Sequence, residues 1–586
     1  MQHVNDHKSG HLWDPWDFLG PKRRALLESG WTGVFRKHLL EELPVEEMAS
    51  GFHETLGRPS KELYTLTGAL ILQQMFDLSD EEVVRRLSFD IQWHYALDIS
   101  SEADGEKYVC ERTLRGYRCM VIERSLEELL FSKLTDKLMQ VFEVAGRKQR
   151  LDSTQVLSNM RKLGRVQIMG RTIEIFLRNL KRRHEEVYEK EIKKEWVNRY
   201  VKKGGGCFSD VHPGEGGKYL GQVAEDLYAL VQWFKENVEV TRMNSYQLME
   251  RVLEEQCEIT GDGGDSAVKP RDKMEIPSDS LQNPSDPDAA YSGHKGQGYQ
   301  VQIMETMQEK EHGKEQEEKR TPDLITYVQV EPANKSDAHA LLPAIKETKE
   351  RGHKPEKLLA DTTYGSDENV AAAAEEGVEL LSPVHGSGAK CDRIELKEFD
   401  LDLDEKSPCK CPEGQESKAR YKTEHGSYMV VFDREICIRC RQRHRCPVKI
   451  NSQSSRLRYR PKQARLAERR AYEKTDEFRR RYRWRAGIEA TMSRYKSLTG
   501  GGRVRYRGLS KVTFAATLKA LGLNIHRAGR AVAARLRAPA WPGTAYTVFL
   551  GVFFNVGRSF RILGPRLRDS SRACRPNVLI TSHSAA

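Results

Sequence analysis

The sequence predicts an α/β protein with a mixed-sheet core. A helical N-terminal domain precedes this core, a helical insertion follows its first strand, and a small cysteine-rich insertion lies further on. Residues 1–146 have almost continuous helical periodicity, residues 298–384 alternate between strands and short helices, and five of the eleven cysteines lie between Cys409 and Cys446. The 586 residues are enough for about two to four domains with cores of their own.

Helix-capping signals mark the N-terminal domain. Ser60 is placed to cap the apolar helix "LYTLTGALILQQMF", and Ser79 with Glu82 forms a capping box ahead of "EEVVRRL". After this domain, Arg150–Val156 is a short extended run and therefore the first predicted strand. A highly charged helical insertion follows at about residues 160–258, and it ends in the glycine- and aspartate-rich linker "TGDGGDSAVKPRDK".

The predicted core occupies residues 147–535. Its later strands are "GYQVQIMETM", "LITYVQVEP", "KLLADTTYG" and "VELLSPV", and its helices are "DAHALLPAIKETKERG" and "DENVAAAAEEG". A solvated hairpin loop, "EKEHGKEQEEKR", is expected between the first two of these strands. The cysteine-rich insertion interrupts the core at about residues 386–460, and residues 536–586 form a tail of mixed character.

The charge balance favours an anionic partner. Lysine and arginine total 96 against 85 aspartate and glutamate, a net charge of +11, and arginine is concentrated after about residue 455. Nucleic acid is the natural candidate. No basic start with an apolar segment indicates a secretory signal, and the longest apolar run, "WPGTAYTVFLGVFFNVG", is too short and interrupted to span a bilayer. We therefore expect a cytosolic protein without membrane contact.

Two acids lie where predicted strands end. Asp152 is in the first extended run, and Asp361 follows the buried strand "KLLA". Open α/β sheets place their sites at such strand ends, although an isolated aspartate there is often only a turn former or helix cap. Asp286 and Asp288 compete for the second position, but their proline-rich surroundings favour a loop.

A third acid belongs to the basic segment "YRWRAGIEATMSRYK". If this segment is one helix, Tyr482, Arg485, Glu489 and Lys496 share a single narrow stripe. A salt-bridged, solvated helix face is the alternative interpretation. Together with the two strand-end aspartates, however, Glu489 could supply the carboxylate oxygens that hold two Mg²⁺ ions about 3.5–4 Å apart for phosphoryl chemistry on DNA.

Two further segments are candidate sites. "TGGGRVRYRG" places Arg503, Arg505 and Arg507 on a predicted flexible, phosphate-contacting loop, with an ordinary basic loop as the alternative. The cysteines follow the pattern C-x-C, then C-x2-C-x5-C. A C-x2-C turn with two more ligands would close a tetrahedral zinc site and fix an insertion that reads as too polar to build a core. Free thiols in a loop are the alternative.

The signature Tyr482-x2-Arg485-x3-Glu489-x6-Lys496 resembles that of the DDE transposases of bacterial insertion sequences. The blocks "LDSTQVLSNM", "LQNPSDPDAAYSGHKGQGYQVQ", "LLADTTYGSDEN" and "LKALGLNIHRAGR" are similar to those of the branch with a helical N-terminal transposase domain. The resemblance covers roughly residues 15–530. It implies a ribonuclease-H-like mixed-sheet catalytic core, with the N-terminal residues 1–146 serving DNA binding or assembly.

The resemblance also implies roles for individual residues. The metal-binding catalytic acids are expected at Asp152, Asp361 and Glu489, with two Mg²⁺ ions and Mn²⁺ as a substitute. DNA contacts are expected from Tyr482, Arg485 and Lys496, joined by the loop residues Arg503 and Arg505. A structural zinc ion is expected at Cys411, Cys437, Cys440 and Cys446, with Cys409 as an alternate ligand.

The implied activity is that of a transposase. It would bind the terminal inverted repeats of its element, cleave DNA by Mg²⁺-dependent hydrolysis to expose a 3′-OH, and transfer that strand to target DNA. The expected partners are double-stranded DNA and at least one more copy of the chain, in the bacterial cytoplasm near the nucleoid. The alternative is a catalytically inactive DNA-binding protein derived from a transposase, which the departure of residues 536–586 from the family pattern keeps open.

Overall fold

The computed structural model describes residues 2–7, 14–54, 56–57, 59–160, 163–202, 216–260, 267–293, 296–309, 321–386, 393–401 and 408–537. Three predictions fall wholly or mostly outside these residues: the hairpin loop "EKEHGKEQEEKR", the central part of the glycine- and aspartate-rich linker, and the C-terminal tail. No helix among the described residues is long and apolar enough to cross a bilayer.

The N-terminal part is helical, as predicted. Its helices are α1 (Pro21–Glu28), α2 (Trp31–Val34), α3 (Val45–Ala49), α4 (Leu63–Met75), α5 (Asp80–Phe89), α6 (Ile91–Ala96), α7 (Asp104–Lys107), α8 (Glu111–Glu123) and α9 (Leu126–Val141). The capping box of Ser79 and Glu82 is confirmed at α5. The Ser60 cap is wrong: Glu62 caps α4 because its carboxylate accepts from the backbone N–H groups of Tyr64 and Thr65.

The first strand leads into the helical insertion. The elements in order are β1 (Lys148–Leu157), α10 (Arg165–Arg183), α11 (Glu185–Glu191), α12 (Lys194–Trp196), α13 (Gly216–Phe234), α14 (Val238–Thr241), α15 (Asn244–Gln256), β2 (Cys257–Thr260) and β3 (Ala267–Pro270). On α10, Ile173, Phe176 and Leu180 recur at helical spacing and are fully buried in a hydrophobic cluster that belongs to this insertion. The antiparallel pair β2–β3 replaces part of the predicted linker.

The central sheet is mixed. Its remaining elements are β4 (Ala290–Ser292), β5 (Gly296–Thr306), β6 (Ile325–Pro332), α16 (Leu341–Glu350), β7 (Lys357–Ala360), α17 (Asp367–Glu375) and β8 (Glu379–Leu381). The strand order is β4-β5-β1-β7-β8, with β6 also paired to β5. β1, β7 and β8 run parallel, whereas β5 is antiparallel to β1 and to β6. This mixed α/β arrangement is compatible with a ribonuclease-H-like core.

The cysteine-rich insertion contains a sheet of its own. Its elements are β9 (Ala419–Lys422), β10 (Tyr428–Phe432), α18 (Arg434–Arg439), β11 (Lys449–Ile450) and β12 (Ser455–Tyr459), with strand order β11-β12-β10-β9. Phe399, Val430, Phe432 and Leu457 are buried together in a small apolar cluster. The expectation that this insertion is too polar to build a core is therefore wrong, because alternate residues of its strands face inward.

The chain then forms α19 (Pro461–Glu473), α20 (Asp476–Tyr482), α21 (Gly487–Thr499) and α22 (Leu509–Arg537). α22 joins the N-terminal helices and the sheet in one hydrophobic cluster. The side chain of the fully buried Asn524 accepts from the N–H of Ile325 and donates to its carbonyl, both at 2.8 Å, which ties α22 to the start of β6. Gly522 permits close approach, since a Cβ there would lie 2.7 Å from the Cα of Met75 in α4.

Candidate active site

Adjacent parallel strands bring Asp152 and Asp361 to the same end of the sheet. The register of β1 and β7 pairs Leu151 with Ala360, so the two acids follow at neighbouring positions. Asp152 stays within β1, whereas Asp361 ends β7 and accepts from the N–H of Thr362 at the start of a 3₁₀ turn. The two acids therefore lie at the same end of the sheet, where open α/β sheets have their sites.

Arg485 links Asp152 to Glu489. Its Nη2 donates to Oδ2 of Asp152 at 2.6 Å, and its Nη1 donates to Oε1 of Glu489 at 3.0 Å. The side chains of Asp152 and Arg485 are 15% and 18% exposed, whereas that of Glu489 is 68% exposed. The three side chains thus run from the sheet to the surface of α21, with the guanidinium between the two carboxylates.

Asp152 lies in a partly desolvated and acidic environment. Burial is the main cause that raises the pKa of Asp152, and the nearby carboxylates of Asp361 and Asp337 raise it further. Arg485 and the N–H of Ser153 act in the opposite direction without cancelling these effects. A cation at this end of the sheet would therefore stabilise the ionised form of Asp152.

Asp337 is an acid that the sequence interpretation missed. It begins the short 3₁₀ turn after β6 and accepts a hydrogen bond from Nε2 of Gln302 at 3.0 Å, while Oε1 of Gln302 accepts from the buried hydroxyl of Tyr364. β6 runs in the same direction as β1, so its end lies at the same edge as Asp152 and Asp361. The sequence could have indicated Asp337, because it is another aspartate shortly after a predicted strand. The segment "SDAHALL" is equally typical of a helix start, however.

A buried ionic cluster positions α21 over the sheet. Glu305 of β5 is fully buried, and its carboxylate accepts from Arg150 at 2.6 Å, Arg527 at 2.8 Å and the Thr491 hydroxyl at 2.7 Å. Burial alone would raise the pKa of Glu305, but the two guanidinium groups hold it below its ordinary value. Since Arg150 is two residues from Asp152 and Thr491 is two residues from Glu489, this cluster fixes both acid-bearing elements.

The predicted single helix around Glu489 is interrupted. Tyr482 ends α20, and residues Arg483–Ala486 form a 3₁₀ turn before α21, so the stripe calculated for one α-helix does not include Tyr482. The Tyr482 ring stacks on Phe478, and its hydroxyl donates to the carbonyl of Ala360 at 3.2 Å. Burial raises the pKa of Tyr482 to about 12. This side chain therefore supports the end of β7, beside Asp361.

Lys496 remains on the exposed face of α21. It has no hydrogen-bond or ion-pair partner among the residues that the structure describes. The following loop is folded against the protein: the N–H of Leu157 donates to the carbonyl of Gly502 at 2.9 Å, Val504 is buried, and Arg505 donates to the carbonyl of Asp77 at 2.8 Å.

Two more arginines of this loop contact Asn159. Arg507 donates to its backbone carbonyl at 2.7 Å, and Arg503 to its side-chain oxygen at 3.4 Å. Since backbone and side-chain contacts hold the segment, the expectation of a flexible loop does not agree with the geometry. Arg503 and Arg505 nevertheless remain exposed at the surface.

The competing acids Asp286 and Asp288 serve another purpose. Asp286 is fully buried and accepts from the hydroxyls of Ser158 and Tyr299 and from the N–H of Gly508. Asp288 accepts from the N–H of Leu509 at 2.7 Å. Both acids therefore satisfy backbone donors at the start of α22, as helix-capping acids do.

The cysteines predicted to bind zinc are neighbours. Burial raises the pKa of the Cys437 thiol, and its electrostatic neighbours Cys446, Cys411 and Cys440 raise it further. Cys411, Cys437 and Cys446 pack on the apolar cluster of the insertion, whereas the alternate Cys409 is fully buried inside it. Within the described ranges, no three histidine, cysteine or acidic side chains are already arranged to hold a metal ion, either here or at Glu489.

Two family models match parts of the chain. Residues 410–528, which include Glu489 and the four predicted zinc ligands, match the family model described as "Transposase DDE domain". Residues 34–106 match "Transposase domain (DUF772)". No curated protein and no solved structure matched the chain. The two matches together cover less than half of the chain, and they support a transposase of the DDE kind, a family that typically uses divalent metals and has DNA as its partner.

Proposed function

We propose that this protein is an active transposase, which binds the terminal inverted repeats of an insertion sequence and catalyses metal-dependent DNA strand cleavage and strand transfer. One observation carries the proposal. Asp152 within β1 and Asp361 at the end of β7 occupy neighbouring positions of two parallel strands, and Arg485 connects Asp152 to Glu489. Arg485 thus links Glu489 to the sheet edge that carries the two strand acids, in a chain that matches two transposase families.

The donor chemistry of this edge fits magnesium. Asp152, Asp361 and Glu489 offer only carboxylate oxygens, the ligands that Mg²⁺ and Mn²⁺ prefer. When bound, two such ions would activate the attacking oxygen and stabilise the leaving oxygen of a phosphodiester. The Arg485 guanidinium lies between Asp152 and Glu489 and donates to both. For Glu489 to bind a metal ion together with the strand acids, Arg485 must break at least one of these two hydrogen bonds.

The protein's own residues would mainly position and neutralise charge. Asp152 and Asp361 are held on strands, so their relative position is fixed by the β1–β7 register. Arg485 has a buried Nε with no hydrogen-bond partner in the part of the chain that the structure describes, and its planar guanidinium suits a phosphate once DNA is present. Lys496 extends the same basic surface, and Arg503 and Arg505 would contact phosphates beyond it. Tyr482 would support the end of β7 through its hydrogen bond to the carbonyl of Ala360.

We also propose a structural zinc ion at Cys411, Cys437, Cys440 and Cys446. Four soft thiolates suit zinc, and the mutual influence of these thiols supports a common site. A metal bound by these thiols would add to the stability that the small apolar cluster beside them gives to the insertion.

Assembly and location follow from the same proposal. Two transposon ends must be held together during transfer, so the acting species would be at least a homodimer on double-stranded DNA, associated with the bacterial nucleoid. The alternative function, DNA binding without catalysis, is favoured by one specific observation. The ion pairs of Arg485 with Asp152 and Glu489 are also what a salt-bridged, non-catalytic surface would contain.

The test is cleavage of DNA that carries the ends of the element, identified as inverted repeats that flank the gene. The purified chain with Mg²⁺ should nick the end and expose a 3′-OH, and it should join that end to a second DNA. Specific binding without nicking, in either Mg²⁺ or Mn²⁺, would support the non-catalytic alternative instead.

A further inference from the structure

A pocket of about 520 Å³ lies on the side of α21 that faces away from Glu489. Gly487, Ala490, Thr491 and Arg494 line it from the helix. At about 100° per residue these positions fall roughly 100–200° around the helix from Glu489. The pocket is therefore separate from the acid site, although both use the same helix.

The pocket is lined by arginines from three parts of the fold: Arg150 of β1, Arg483 and Arg494 around α21, and Arg527 and Arg530 of α22. Arg150 and Arg527 are neutralised by the buried Glu305, and Arg150 also pairs with Asp323 at 3.2 Å. The other three are not neutralised. Among the described residues, Arg494 and Arg530 have no hydrogen-bond or ion-pair partner. The Arg483 guanidinium has none there either, and it lies over the Trp484 ring at 4.6 Å from the ring centroid.

These arginines repel one another. Partial desolvation beside the pocket is the main cause that lowers the pKa of the exposed Arg494, and the positive charges of Arg530 and Arg527 lower it further, while Glu305 opposes them. An anion between the guanidinium groups would remove this repulsion and would receive several charge-assisted hydrogen bonds.

The pocket is also connected to the acid site. Arg150 and Asp152 are two residues apart on β1, so their side chains leave the same face of the sheet, about 7 Å apart along the strand. Gly487 permits this arrangement, since a Cβ at that position would collide with the guanidinium of Arg150. Duplex DNA has one phosphate charge about every 1.7 Å along its axis, and a helix is only about 10–12 Å wide. DNA at Glu489 would therefore place other phosphates near the pocket.

We propose that the arginine pocket of Arg483, Arg494 and Arg530 binds backbone phosphates of the DNA on which the protein acts. The inference rests on the proposed function for its ligand, and it deepens that function by assigning a second contact surface behind the catalytic helix. The pocket is larger than one phosphate requires, and its three unpaired guanidinium groups suit a run of phosphates along one strand.

The experiment compares the full chain with the double variant Arg494→Gln/Arg530→Gln. Both side chains are exposed and unpaired, so thermal unfolding should not change. DNA binding is measured by fluorescence anisotropy without divalent metal, between roughly 50 and 200 mM salt. Loss of two phosphate contacts should lower the slope of log K against log salt by about two units. The matched control, Arg182→Gln/Arg183→Gln at the exposed end of α10, should lower it by less than half a unit.

The outcomes separate the inference from the proposed function. If the unaltered chain binds no DNA, both are overturned. If it binds DNA and the pocket variant keeps its salt slope, or if the control loses as much, the pocket assignment alone is overturned. Inorganic phosphate is the second probe. Its binding is detected by a change in tryptophan fluorescence, and Trp484→Phe, which removes the tryptophan that lines the pocket, is the control for changes elsewhere in the protein. Phosphate binding together with an unchanged DNA slope would indicate a small-anion site and would also overturn the DNA assignment.

Discussion

Replacing Glu305 with glutamine should loosen the helix that bears Glu489. The carboxylate is fully buried between Arg150 and Arg527, and it also accepts from Thr491 of α21. Glutamine has nearly the same shape, but it leaves two guanidinium groups without their shared counter-charge. Removal of one partner from a buried ion pair typically costs about 3–5 kcal/mol. Because Asp323 still pairs with Arg150 at 3.2 Å, we expect a value near the lower end, about 3 kcal/mol.

Hydrogen exchange of the α21 amides measures the local loss of stability in this helix, and urea unfolding measures the loss for the whole protein. Glu309→Gln is the matched control, since Glu309 pairs with Lys148 at 2.8 Å and Lys357 at 2.7 Å but is 31% exposed. Its loss should cost no more than about 1 kcal/mol. If Glu305→Gln destabilises α21 no more than this control, the buried cluster does not position the helix.

Three further results are expected. Burial raises the pKa of Glu127 from 4.5 to about 7, so the native state keeps this proton while the unfolded chain releases it, and stability should fall as pH rises from 4.5 to 7. Glu127→Gln should therefore raise the free energy of unfolding by about 3 kcal/mol at pH 8 and leave it unchanged at pH 4. Metal analysis should find about one zinc per chain, lost together with protease resistance in Cys437→Ser but not in the exposed Cys110→Ser control. Removal of residues 541–586 should leave DNA binding and cleavage intact, and failure of the shortened chain to fold would contradict this.

The strands that carry Asp152 and Asp361 could be predicted because they follow from local patterns. Burial of "KLLA" predicts β7 with Asp361 after it, whereas the parallel pairing of β1 with β7 that places Asp361 beside Asp152 depends on the tertiary fold. Strands of the cysteine-rich insertion were missed because they are short and contain many charged residues on their outer faces, as in "SRLRY".

Side-chain partners were less predictable, because they depend on tertiary placement. Ser60 and Glu62 are both possible caps of α4 in the sequence. Glu62 caps the helix in the fold, because the Ser60 hydroxyl accepts from the N–H of His3 instead. Arg485 could have extended to solvent on its helical stripe, yet the sheet places Asp152 within its reach. Asp337 enters the site only because β6 and β1 run in the same direction.

The central claim is that Glu489 serves chemistry and not only a salt bridge. Its most direct test is the rate of Mg²⁺-dependent cleavage by Glu489→Gln on DNA that carries the transposon end, with end binding measured in parallel. Glu477→Gln on α20 is the matched control, because Glu477 is also an exposed partner of an arginine. We predict that Glu489→Gln cleaves more slowly by orders of magnitude while it binds the end normally, that Asp152→Asn and Asp361→Asn behave in the same way, and that Glu477→Gln cleaves like the unaltered protein. Cleavage by Glu489→Gln at nearly the unaltered rate would contradict the assignment and return this carboxylate to the basic surface around it.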